Sequence, residues 1–158
     1  MRLKPGDCFE VPLPDGKRGY GQYLLHDRGK GKRPGQGTLV RIFDIISETE
    51  VPLERLARAG ELFPPVFVTL DAALKTGGWR IVGRLPVGDF KFPKFRSLRS
   101  HGWEPGKHHD WVIWDEDGPR YVGDLTPEYR DLEVFALHGH RLIEKRISGQ
   151  PWWFDGMS

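Results

Sequence analysis

The sequence has a single cysteine, Cys8, among its 158 residues, and no long uncharged apolar run. One cysteine excludes an intramolecular disulfide and a zinc site built from several cysteines, and it is typical of a reducing cytosol. No stretch approaches the roughly 18 consecutive apolar residues that indicate a membrane span. The N-terminal residues also lack an apolar segment of signal-peptide length, so we expect a cytoplasmic protein with no membrane partner.

The net charge of +2 is too small to indicate a partner, but the charges are unevenly distributed. Residues 1–105 carry 18 Lys/Arg and 12 Asp/Glu, whereas residues 106–158 carry 6 and 10. A basic front and an acidic C-terminal part predict either two oppositely charged faces or a contact between them within one fold.

Glycine and proline are abundant, with 20 and 13 residues, which predicts many turns and short elements rather than long helices. The length fits one domain, and there is no repeat, linker or low-complexity segment. We therefore expect one domain over residues 1–158.

Alternating apolar residues predict strands over residues 7–13, 19–26 and 38–46, with a basic glycine-rich loop over 27–37. Two further strands are predicted over residues 65–70 and 79–84, and a hairpin joins 109–115 with 120–123. Helices are predicted over 53–59 and 140–147, and the segment 86–105 is predicted to be irregular. Gly19 and Gly21 flank Tyr20, which indicates a bulge or the close approach of another backbone.

The basic loop offers a candidate patch at Arg28, Lys30, Lys32 and Arg33. A phosphate-binding loop of the GxxxxGK[ST] type leads into a helix, whereas this loop leads into a strand, so a solvated hairpin loop is the favoured interpretation. Together with phenylalanines that alternate with lysines and arginine over residues 90–96, the patch supports an alternative function as a nucleic-acid-binding β-barrel module.

The histidines are the candidate metal ligands: His108, His109, His138 and His140, beside Asp110. They would suit a metal-dependent hydrolase, but no H-E-x-x-H spacing or cysteine pair accompanies them. We favour surface or capping histidines, expect no metal or other cofactor, and interpret Cys8 as a half-buried structural residue rather than a nucleophile.

Acidic and aromatic residues near the C-terminus are the candidate contact residues. Asp115, Glu116 and Asp117 occupy the predicted hairpin turn, and Trp111 and Trp114 are predicted to face opposite sides of one strand. Trp152 and Trp153 either pack onto the sheet or form an exposed patch, and Trp is enriched at binding hot spots. No catalytic constellation stands out, so we expect a protein that binds another protein and is not an enzyme.

The stretch KPGDCFEVPLPDG over residues 4–16, followed by GYG over 19–21, resembles the opening of the immunity protein 26 family of bacterial polymorphic toxin systems. The likeness continues through residues 65–68, 79–83 and 92–95 and the closing segment 139–147. The resemblance implies a non-enzymatic α+β protein that binds and neutralises a cognate toxin domain in the cytoplasm of the producing cell.

The prolines and glycines of this opening run shape turns and close strand crossings, which explains the run by the fold rather than by a contact. They predict a strongly bent, mainly antiparallel β-sheet with a few short helices, similar to an SH3-like half-barrel. The toxin-binding surface is therefore expected elsewhere. Its candidate residues are Asp110, Trp114, Asp115, Glu116, Asp117, Trp152 and Trp153, with the basic patch as the alternative.

Overall fold

The computed structural model of the protein describes residues 2–98 and 110–150. More of these residues lie in strands than in helices. The strands are β1 (Asp7–Pro12), β2 (Arg18–Lys30), β3 (Arg33–Phe43), β4 (Glu61–Val68), β5 (Arg80–Arg84), β6 (Phe95–Leu98), β7 (Trp111–Asp115), β8 (Gly118–Gly123), β9 (Glu133–Val134) and β10 (Leu137–His138). The helices are α1 (Leu53–Ala57), α2 (Leu70–Thr76) and α3 (His140–Ile147), and a 3-10 turn covers Pro127–Tyr129.

The described strands form two sheets. The larger has the order β10-β4-β3-β2-β1-β5, and the smaller has the order β8-β7-β6-β9. Neighbouring strands are antiparallel except for β10 with β4 and β6 with β9. The predicted α+β class with mainly antiparallel strands is confirmed, and the strands divide between two sheets rather than forming one.

The larger sheet is covered on both faces, so buried apolar clusters lie on each side of it. On one face, Phe9, Val40 and Val66 pack against helices α2 and α3 through Ala73 and Ile143. On the opposite face, the core joins the two sheets and contains Leu24, Leu39, Phe67, Phe95 and Phe135. The order of layers is therefore helices α2 and α3, larger sheet, smaller sheet, whereas α1 packs through Leu56 against Cys8, Tyr20 and Phe43. Apolar burial on both faces explains the near-continuous apolar runs of β3 and β4.

The basic segment 27–37 is not a loop, contrary to the sequence-based expectation. Strands β2 and β3 continue to Lys30 and Arg33, which pair across a two-residue turn at Gly31 and Lys32. Gly29 allows the ribbon to continue because its φ is +89° and a Cβ there would lie 2.7 Å from the Arg33 carbonyl oxygen.

Other boundaries differ less. Residues 86–98 are irregular except for β6, which forms because Phe95 is buried between the sheets and pairs opposite Trp114. The hairpin of β7 and β8 turns at Glu116 and Asp117 as predicted, and α3 covers the predicted residues. No helix within the described ranges has the length and apolar character needed to cross a lipid bilayer.

The expected close approach at the Gly-Tyr-Gly run is confirmed. A Cβ on Gly21 would lie 2.5 Å from the ring of Phe9 and 2.7 Å from the carbonyl oxygen of Arg41. A Cβ on Gly19 would lie 3.1 Å from Ile147 of helix α3. Glycine at these positions therefore lets β1, β3 and α3 pack directly against the backbone of β2.

Candidate functional site

The tips of the β2–β3 and β7–β8 hairpins are in contact. Lys30 Nζ donates a hydrogen bond to Asp117 Oδ1 at 2.8 Å. Arg33 Nε donates to the backbone carbonyl of Glu116 at 2.9 Å. Two segments that the sequence offered as separate candidate surfaces, one basic and one acidic, thus form one composite tip. This is the internal contact between the basic and acidic parts that the charge distribution allowed.

Arg33 is a buried structural residue. Its Nη1 lies 2.5 Å from Asp27 Oδ2, and both side chains are 4% exposed. The Asp27 carboxylate also accepts the backbone N–H groups of Gly29 and Gln36 at 3.0 and 3.3 Å. The guanidinium carbon lies 4.4 Å from the centroid of the Phe92 ring. Arg33 is therefore not on the protein surface, whereas the other basic-patch residues Arg28, Lys30 and Lys32 are.

The acidic turn is rigidly built and faces solvent. Asp115 Oδ1 accepts the backbone N–H groups of Asp117 and Gly118 at 2.8 and 3.1 Å, which fixes the turn. The side chains of Asp115, Glu116 and Asp117 are exposed. The Lys30 ammonium, through its hydrogen bond and its charge, holds the pKa of Asp117 below its ordinary value. A shallow depression of about 320 Å³ separates Lys32 from the turn.

Trp114 attaches this hairpin to the rest of the fold. Its ring stacks on Phe135 with centroids 4.7 Å apart, and its Nε1 donates to Ser97 Oγ at 2.8 Å. Trp111 is buried in a separate cluster, so the prediction that the two rings face opposite sides of the strand is confirmed. Asp110 is partly exposed immediately before β7. Trp152 and Trp153 lie outside the described residues.

The histidines do not converge in the part of the chain that the structure describes. His138 is buried, with Nδ1 3.3 Å from the carbonyl oxygen of Phe67, and burial lowers the pKa of its imidazole. His140 begins α3 and packs edge-on against Trp79. Within residues 2–98 and 110–150, no group of three or more His, Cys, Asp or Glu side chains is arranged to hold a metal ion. His108 and His109 lie outside the described residues.

Cys8 is more deeply placed than expected. The sequence predicted a half-buried residue, whereas its side chain is fully buried, because β1 lies between β2 and β5 within the larger sheet. Burial raises the pKa of the thiol to about 11. The thiolate that nucleophilic chemistry requires is therefore scarce at neutral pH.

An ion cluster surrounds Glu10, and the sequence patterns did not predict it. Arg80 Nη2 lies 3.1 Å from Glu10 Oε2 and 2.6 Å from Glu50 Oε1. Arg18 approaches the same two carboxylates at 3.7 and 3.8 Å. The sequence signal for this cluster was a charged residue, Glu10, placed between the apolar Phe9 and Val11 in a predicted strand. Its partners are up to 70 positions away, so only the strand register brings them together.

Comparison with known proteins gives one informative result. No significant match was found among curated proteins or among solved structures. The family model of Immunity protein 26 matches residues 4–107. The matched range contains β1 to β6 of the fold, including Cys8, the Gly-Tyr-Gly run and the β2–β3 tip. Since the match covers well over half of the chain, this protein belongs to the Immunity protein 26 family.

Proposed function

We propose that this protein binds and neutralises a cognate bacterial toxin domain in the cytoplasm of the cell that produces both, as an inhibitor without catalytic activity of its own. The observation that carries the proposal is the family match over residues 4–107. Burial raises the pKa of the Cys8 thiol, so Cys8 is not an activated nucleophile. The histidines in the described part of the chain do not form a metal cluster. Both observations agree with a binding role.

The composite tip is the surface that we assign to the toxin. Asp115, Glu116 and Asp117 are exposed on a turn that hydrogen bonds from Asp115, Arg33 and Lys30 hold in place. Carboxylates fixed before binding lose little conformational entropy when a partner docks, and they accelerate association with a basic surface. The proposal keeps Asp110, Trp114, Trp152 and Trp153 as further candidate toxin contacts.

The same geometry makes the basic patch the weaker candidate for the toxin site. Lys30 is paired with Asp117, and Arg33 is buried against Asp27. It also weakens the nucleic-acid alternative, because Phe95 is buried between the sheets and Phe92 packs against Arg33, where bases cannot stack on them. Apart from the Lys30–Asp117 pair, the tip exposes Asp115 and Glu116 together on the turn, and Arg28 and Lys32 on the ribbon.

Co-expression with the toxin domain that we expect in the adjacent gene tests the proposal. Cells that carry both proteins should survive, and the two should co-purify. Glu116→Lys should weaken binding by about tenfold, mainly through slower association that depends on salt. Asp89→Lys, at an exposed site on the β5–β6 connection, makes the same change in charge outside the acidic turn and should leave binding intact. Failure of the unmodified protein to protect and to bind would refute the proposal.

A further inference from the structure

The cluster around Glu10 holds two arginines in fixed positions. The Glu10 carboxylate accepts from Tyr20 Oη at 3.4 Å and from Arg80 Nε and Nη2 at 3.3 and 3.1 Å, and Arg18 Nε lies 3.7 Å away. Only 12% of the Glu10 side chain is exposed. The inner carboxylate therefore positions both guanidinium groups while the outer edge of each remains available at the surface.

Glu50 occupies that outer side. It contacts Arg80 and Arg18 at 2.6 and 3.8 Å, yet 71% of its side chain is exposed, as is 52% of the Arg80 side chain. Its backbone is held on both sides, because Ser47 and Arg18 exchange backbone hydrogen bonds and the Val51 N–H donates to Tyr20 Oη at 3.2 Å. Glu50 thus places a carboxylate against the two arginines from the solvent side, in the position that the carboxylate of a bound ligand would take.

We propose that Arg18 and Arg80, at the opposite end of β2 from the composite tip, form a second contact with the toxin. They bind one of its acidic side chains, and Glu50 fills this site until the toxin displaces it. The inference rests on the proposed function. Exposed ion pairs contribute little to stability and exchange readily, so Glu50 is replaceable. A partner carboxylate that binds the same guanidinium groups in a desolvated interface forms a stronger, charge-assisted pair.

The neighbouring surface defines the rest of the ligand. A cavity of about 260 Å³ adjoins Glu10 and Glu50, and a larger one of about 620 Å³ opens on the helical side of β5. Arg80 and Ile81 line both. The apolar part of the larger cavity is formed by Leu3, Tyr23, Leu74, Trp79 and Ile81. The site therefore fits a toxin segment in which an Asp or Glu lies next to a bulky apolar side chain that enters the larger cavity.

Calorimetric titration with an inactivated form of the cognate toxin domain tests the inference. Arg80→Gln should raise the Kd by about tenfold, and Arg80→Lys should give a smaller rise, because it retains the charge but not the planar fork. Glu50→Gln should lower the Kd by about threefold, since the internal competitor is weakened while Glu10 still holds both arginines. Arg130→Gln, at an exposed position in the described part of the chain, changes the charge equally and should leave the Kd unchanged.

The direction of the Glu50→Gln effect is decisive. Weaker binding would identify Glu50 as a toxin contact and would overturn the inference, as would an unchanged Kd for Arg80→Gln. Thermal melts of each variant separate lost binding from lost folding. If the unmodified protein itself does not bind the toxin, the proposed function fails and this inference with it, whereas normal binding by all the variants rejects the inference alone.

Discussion

The Arg33 guanidinium lies 2.5 Å from the Asp27 carboxylate, and both side chains are buried next to the turn of the β2–β3 hairpin. Removal of one charge leaves the other buried without its partner, which typically costs about 3–5 kcal/mol. We therefore expect Arg33→Gln to lower the free energy of unfolding by about 3 kcal/mol, measured by urea denaturation.

Arg28→Gln is the matched control for this experiment, because Arg28 is exposed on the same ribbon. It should change the free energy of unfolding by less than about 0.5 kcal/mol. Equal effects of the two substitutions would show that the buried pair is not what holds the tip against the second sheet.

The contact between Lys30 and Asp117 predicts a lowered carboxyl pKa. Lys30 stabilises the ionised form of Asp117, so its pKa in the folded protein lies below the unfolded value. The resulting contribution to stability is present above the unfolded pKa and is lost as the pH falls through the folded one. A carboxyl-carbon NMR titration should show the low pKa in the unmodified protein and a rise toward the ordinary value in Lys30→Gln. High salt should reduce the difference, because both groups are exposed.

The hairpin at Glu116 and the helix at 140–147 were predictable because local patterns specify them: an Asp-Gly turn between apolar strands, and apolar residues at helical spacing before Gly149. The path of residues 27–37 was not predictable. Glycines and basic residues are typical of a loop, and the ribbon depends on the buried Asp27–Arg33 pair and on a carbonyl 83 positions away. The Glu10 cluster was missed for the same reason, since its members meet only through strand register.

A side chain at Gly21 should destabilise the fold through steric overlap, even though alanine is more apolar than glycine. An added methyl group would meet the Phe9 ring at 2.5 Å and the Arg41 carbonyl oxygen at 2.7 Å, and both neighbours are held within the larger sheet. Overpacking of this kind costs about 1–3 kcal/mol, so Gly21→Ala should lower the midpoint of thermal unfolding clearly. Gly60→Ala is the control, because a Cβ there meets nothing within 4 Å. A neutral Gly21→Ala would mean that β1 and β2 have room to separate.

Cys8 provides a direct test of how tightly the larger sheet is closed. Its side chain is fully buried, and burial raises the pKa of its thiol to about 11, so both access and thiolate concentration oppose reaction at pH 8. We expect a soluble disulfide reagent to leave the native protein unmodified over the time in which it fully labels the urea-unfolded chain. Because the raised pKa favours the folded state only while the thiol is protonated, this contribution to stability declines as the pH rises from about 9 towards 11. Rapid labelling of the native protein at pH 8 would instead require that β1 separates from β2 or β5 frequently enough to expose the sulfur.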